Sequence, residues 1–187
     1  MRLYKVLKQN TLKKGNLHII PIRHEDRLLI MKWRNEQLYH LRQEKPLTTA
    51  DQDLYFKEIE NLFLQNHPKQ ILFSYMEESN CIGYGGLVHI NWESKNAEIS
   101  FLMATEKEAE GFEFHWENFL ELIERVAFDD LNFTKIYTYS YDIRPRLYPV
   151  LKKLNYKKEA ELINHHIIDL KHVNILIHSK FSLNDNL

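Results

Sequence analysis

The feature that most constrains this chain is a stripe of apolar residues at helical spacing, set between stretches of strand-like sequence. Phe112, Trp116, Phe119, Leu120, Ile123, Val126 and Ala127 share one face of a helix, and that face needs an apolar surface to bury against. Before it, residues 81–90 and 97–103 read as two strands joined by a polar turn at 92–96, a hairpin. After it, residues 133–139 are β-branched and aromatic and read as another strand. A hairpin makes antiparallel neighbours, whereas a helix between strands makes a crossover. Together they predict an α+β, or mixed α/β, domain with a mostly antiparallel twisted sheet flanked by helices.

The remaining segments extend this pattern. Residues 17–22 read as a strand and 24–40 as one helix or two short ones. A further helix begins at Thr49, where Thr49 and Gln52 have capping-box spacing. Residues 70–76 read as a strand, 146–154 as a short helix, and 156–162, 165–170 and 173–179 as terminal strands. Length suits one domain spanning 1–187, with 1–15 as a basic N-terminal extension. The five glycines, three of them at Gly83, Gly85 and Gly86, leave little room for flexible linkers.

Composition excludes several classes. A net charge of -1 predicts neither a nucleic-acid nor a membrane partner. Ten histidines are scattered without metal-ligand spacing, so no metal site is expected. Cys81 is the single cysteine, which excludes an internal disulfide and fits a reducing cytoplasm. No apolar run approaches membrane-spanning length, and the start lacks an apolar signal core. The expected location is cytoplasmic.

In element order and in local motifs the chain resembles the GNAT superfamily of acetyltransferases over residues 17–179. Trp33-Arg34-Asn35 follows the first strand as in the bacterial branch that acetylates ribosomal-protein N-termini or amino-sugar nucleotides. Ile82-Gly83-Tyr84-Gly85-Gly86-Leu87 and Ala97-Glu98-Ile99-Ser100-Phe101-Leu102-Met103 resemble two central strands of the family. The segment from Arg144 to Tyr156 resembles its helix-turn ending in Lys-x-Gly-Phe. The resemblance implies acetyl-CoA as acetyl donor, with Phe101, Leu102 and Met103 offering main-chain groups to pantetheine. It implies further cofactor contacts at Gly111 and Arg144. It also places Arg34, Asn35 and Arg42 on the wall of the acceptor cleft, where guanidinium groups suit an anionic acceptor. The partner is a small-molecule amine, foremost an amino-sugar nucleotide, and a homodimer is possible.

Two departures accompany the likeness. The family's glycine-rich loop, whose N–H groups hold pyrophosphate at a helix start, aligns with Glu108-Ala109-Glu110-Gly111-Phe112-Glu113. Three carboxylates stand where phosphates would bind. The same stretch also reads as a self-capped helix through Thr105 and Glu108. The tyrosine that protonates the leaving thiolate aligns with Leu151; Tyr148, one turn earlier, is either its substitute or an aromatic anchor.

An amine must be neutral to attack a thioester, so the site needs a proton acceptor. Glu98 interrupts an apolar strand and is the candidate base, or else a paired structural carboxylate. A symmetric turn would set His89 opposite it, on the face of Gly83, Gly85 and Leu87. The alternative to an active N-acetyltransferase is a degenerate member of the fold that binds a ligand or partner without acyl transfer.

Overall fold

Three glycines in one strand bring the centre of the sheet close to its neighbours. A Cβ on Gly85 would lie 2.8 Å from Phe119 Cζ and 2.9 Å from Phe101 Cα. Only a residue without a side chain lets that strand and the long helix approach so far. The structure is a computed structural model and describes residues 2–182.

Among the described residues eight strands form one sheet. They are β1 (Leu12–Lys14), β2 (Leu17–Pro21), β3 (Ile71–Glu77), β4 (Asn80–Asn91), β5 (Asn96–Met103), β6 (Lys135–Tyr141), β7 (Lys157–Ile168) and β8 (Lys171–Phe181). Their spatial order is β1-β2-β3-β4-β5-β6-β8-β7. Every neighbouring pair is antiparallel except β5 and β6, which are parallel. Between those two the chain makes the expected crossover, through α3 (Thr105–Glu110) and α4 (Phe112–Glu124). The mixed α/β architecture is therefore as the residue pattern predicts.

The apolar stripe does what its spacing requires. Phe112, Trp116, Phe119, Leu120, Ile123, Val126 and Ala127 are all buried. Phe119 stacks on Phe101 of β5 at 3.9 Å, and Tyr75 of β3 meets both rings edge-on. The helix ends in a π-helical turn over Arg125–Asp130. On the opposite face lie α1 (Arg27–Glu36) and α2 (Thr49–Glu60); Tyr84 of β4 meets Arg34 of α1 there. The short α5 (Leu147–Lys153) follows β6 and ends through Asn155 at φ 64°, a left-handed position that asparagine tolerates in place of glycine.

Several local expectations change. The cap of α2 is Thr48, which accepts from Asp51 N while the Asp51 carboxylate accepts from Thr48 N. Gln52 is buried instead and donates to the Arg27 carbonyl, tying α2 to α1. Thr105 caps nothing; it donates to Glu36, and Ala104 occupies the N-cap of α3. Residues 156–170 are not two strands. β7 runs through with register shifts, and the turn falls at Asp169-Leu170, both at positive φ as a two-residue hairpin demands. Within the N-terminal stretch, Tyr4 is 1% exposed, and its hydroxyl donates to the Leu72 carbonyl and accepts from the Leu72 N–H.

Candidate active site

The parallel pairing of β5 with β6 stops at Glu98↔Tyr137. Beyond it residues 99–103 and 138–141 diverge, and a cavity of about 440 Å³ lies at the gap. Pairing alternates along an antiparallel strand. Ala104 N–H donates to Ile82 O, and Tyr84 is the register partner of Leu102. The main-chain groups of residues 100, 102 and 104 thus face β4, while those of Ile99, Phe101 and Met103 face the gap. Leu102, expected to offer its backbone to a ligand, is corrected here: its main chain is turned to β4. The Met103 carbonyl is also taken, by Gln37 Nε2 at 2.9 Å. Phe101 keeps both its N–H and its C=O on the open edge.

The sheet divides the cavity lining in two. Glu98, Tyr84, Tyr139 and Tyr141 belong to the α1 and α2 face, while Trp116 and Thr138 belong to the α4 face. Glu98 is buried at 5% side-chain exposure. One of its oxygens accepts from Arg42 Nη2 and the other contacts His89 Nδ1 at 2.9 Å. Arg42 comes from the segment after α1 and lies over the Tyr139 ring at 4.8 Å. The expected Glu98–His89 contact therefore exists, but by another route. The register partner of Glu98 is Val88. His89 sits in a bulge at φ 48°, which turns its ring away from the Gly83, Gly85 and Leu87 face.

Among the described residues Arg34 reaches only neutral groups: its Nε donates to Gln43 Oε1 at 2.7 Å and its Nη1 to Tyr84 Oη at 2.6 Å. Asn35 does not reach the cavity. It donates to the Leu47 carbonyl and accepts from the Leu47 N–H, fixing the segment that carries Arg42. His40, absent from the sequence reading, lines the cavity. Burial and the Arg144 charge push its imidazole down to about 3, so it is neutral at working pH.

At the loop before α4, two of the three carboxylates already hold cations. Arg144 Nη2 donates to Glu108 at 2.6 Å and its guanidinium lies 5.1 Å from the centre of the Phe112 ring. Arg146 pairs with Glu113 through two hydrogen bonds at 2.9 and 3.0 Å. The Gly111 N–H is spent on the Lys107 carbonyl at 2.9 Å, within the continuous turn from α3 to α4. Arg144 lines the cavity and Gly111 does not. Tyr148 lies off the cavity too. Its hydroxyl donates to Asp142 and its ring stacks on His178. Burial and the Asp142 carboxylate raise its phenol above the usual range, so it holds its proton tightly.

Sequence reasoning missed Tyr84, Trp116, Thr138 and Arg146. Trp116 was counted only within the apolar stripe. Thr138 read as one more member of its strand, which also carries the polar Lys135 and Ser140. Among the described residues no cluster of His, Cys, Asp or Glu could hold a metal ion, and no helix is long and apolar enough to cross a membrane.

A parallel strand pair that opens midway, with a cavity at the gap and a free strand edge beside it, is the architecture of an acyl-CoA-dependent acyltransferase. The chain belongs to the acetyltransferase (GNAT) domain family, which its residues 19–168 match. It is an N-acetyltransferase, and its acetyl donor is acetyl-CoA. Among solved structures it is similar to the spermidine N-acetyltransferase SpeG from Vibrio cholerae. The complex of that enzyme with CoA and spermine gives a TM-score of 0.76 at 19% identity, covering 90% of this chain and 97% of that one. Its dodecameric structure in an intermediate state gives 0.75 at 20% identity, covering 93% and 100%. At these identities the likeness is one of fold. No curated protein matches the sequence.

Proposed function

We propose that the acceptor is a small amine that also carries an acidic group, as an amino-sugar nucleotide does. The observation behind this is the charge of the cavity. Arg34, Arg42 and Arg144 line it; Glu98 takes Arg42 and Glu108 takes Arg144, which leaves Arg34 without a carboxylate partner among the described residues. A guanidinium enclosed among neutral groups is well placed to take a phosphate or carboxylate in a bidentate pair. A polyamine would bring further positive charge to this lining. The acceptor preference therefore differs from that named for the Vibrio cholerae enzyme.

Acetyl-CoA supplies a thioester whose acyl carbon is open to attack by a neutral amine. Phe101 holds the donor through its free strand edge, and Arg144 and Arg146 are the cations nearest the position of its phosphates. Glu98 receives the ammonium proton once Arg42 releases one carboxylate oxygen, and His89 holds the other. Arg42 has somewhere to go: an incoming acidic group on the acceptor offers it a second anion. Acceptor binding and freeing of the base are thereby one event.

A second copy of the chain is the expected partner. β7 ends the sheet, and its hairpin exposes Ile163, Ile167 and Leu170, an edge that favours self-association. Light scattering on the purified chain tests this.

The deciding experiment measures acetyl-CoA-dependent thiol release with matched amines, with and without a phosphate or carboxylate. Acidic amines should be the better substrates, and Arg34→Gln should raise their KM while leaving neutral amines unaffected. Equal or better turnover of spermidine would overturn the acceptor class.

A further inference from the structure

Among the described residues, two buried hydrogen-bond donors at the cavity find no acceptor. Trp116 is 4% exposed and Thr138 is 3% exposed. Neither Trp116 Nε1 nor Thr138 Oγ1 reaches a partner among the described residues, and both residues line the cavity between β5 and β6. Buried polar groups almost always find partners, because leaving one unmade forfeits its hydration. A phenylalanine and a valine would fill these two places without that penalty.

Their position identifies what they await. Trp116 meets Phe101 edge-on at 5.0 Å, beside the strand edge that Phe101 leaves free. Thr138 follows Tyr137, the last residue of β6 paired with β5. Arg42 lies over Tyr139, the next residue, on the α1 and α2 face. Successive side chains alternate, so Thr138 faces α4. Both donors are thus on the other side of the sheet from Glu98 and Arg34, where the acceptor is proposed to bind. An indole N–H can only donate. Its partner must be an acceptor oxygen, and a chain of secondary amides ending in a thioester presents several.

We propose that Trp116 Nε1–H and Thr138 Oγ–H are positioning donors that hold carbonyl oxygens of the acyl-bearing pantetheine arm as it threads the gap beside Phe101. This rests on the reading that the donor enters between β5 and β6. The arm is then fixed by side chains on the α4 face as well as by the strand edge. That matters in this chain, because the loop that would fix the phosphates is acidic.

The test is calorimetric titration of full-length Trp116→Phe and Thr138→Val with acetyl-CoA and, separately, with 3′-phospho-ADP, the nucleotide half that lacks the arm. Each variant should weaken acetyl-CoA binding about 2- to 12-fold, the range for one net hydrogen bond. The nucleotide half should bind them as it binds the parent. The free variants should melt at the parent temperature or above, because an unsatisfied donor has been removed. Tryptophan emission of the parent should also change on acetyl-CoA binding, and Trp116→Phe should abolish most of that change. Unchanged acetyl-CoA affinity in both variants would overturn the proposal. So would equal weakening for the two ligands, or melting temperatures that fall in step with affinity, since these indicate a structural role. A parent protein that does not bind acetyl-CoA at all would instead remove the donor reading itself.

Discussion

The pair Glu98–Arg42 should respond unequally to loss of either partner. The Glu98 side chain is 5% exposed, whereas Arg42 is 44% exposed and His89 62%. Arg42→Met leaves a buried carboxylate with only the imidazole against it. Breaking a fully buried pair in this way costs about 3–5 kcal/mol. Because Arg42 is nearly half in solvent, screening reduces that to about 1–2 kcal/mol. For a chain of this length, 1 kcal/mol corresponds to roughly 2–4 °C of melting temperature. Arg42→Met should therefore melt roughly 2–8 °C lower. Glu98→Gln leaves two cationic or polar partners that can both turn to water, and its amide oxygen still accepts from one of them. Its melting temperature should stay within about 2 °C of the parent, no more than the smallest shift expected for Arg42→Met. Turnover should nevertheless fall by about 10²-fold or more, because the proton acceptor is gone. Acetyl-CoA affinity should hold, because Glu98 faces the acceptor side. Differential scanning fluorimetry, a thiol-release assay and calorimetry read the three quantities. If Glu98→Gln melts as low as Arg42→Met and keeps normal turnover per folded molecule, Glu98 is a structural carboxylate and the base lies elsewhere.

Other outcomes follow from neighbouring features. Gly85→Ala should destabilise by about 1–3 kcal/mol or more, since its Cβ would meet Phe119 and the β5 backbone; an unchanged denaturant midpoint would mean that β4 and β5 separate easily. His40 is lowered to about 3, so below the ordinary histidine range the unfolded chain takes up a proton that the folded chain refuses. Stability should fall on acidification from about pH 6.5 toward pH 3, by at most about 1.4 kcal/mol per pH unit from this group. His40→Gln should flatten the dependence of melting temperature on pH between 7 and 5, and a slope equal to the parent's would exclude His40 as its source. Glu108→Gln frees Arg144 from its carboxylate and should tighten acetyl-CoA binding about 3- to 10-fold; no change in the dissociation constant would place the phosphates away from this loop.

The sequence by itself determined which faces are buried and in what order the elements run. Periodicity is local: the spacing of Phe112, Trp116, Phe119 and Ile123 specifies a helix with one apolar face whatever it packs on, and the hairpin before it requires antiparallel neighbours. The anomaly of Glu98 within an apolar strand was equally legible, as was the acidic loop around Gly111. Only the tertiary structure decided what these groups meet. Arg42 reaches Glu98 over a separation of 56 positions in the chain, and no spacing rule connects a loop to a strand at that separation. His89 meets the same carboxylate through a bulge, whereas a symmetric turn predicted direct pairing; one extra residue re-aims every side chain near it. Leu102 and Phe101 are adjacent and both buried, yet only Phe101 has its main chain on the open edge, because strand register sets which way each N–H points. Tyr148 is drawn to Asp142, and Glu108 and Glu113 take Arg144 and Arg146, because charged and hydrogen-bonding groups pair with whatever the fold brings within a few ångströms. Trp116 and Thr138 read as ordinary members of a helix and a strand, and became visible as donors only where the two strands part and leave them facing the gap.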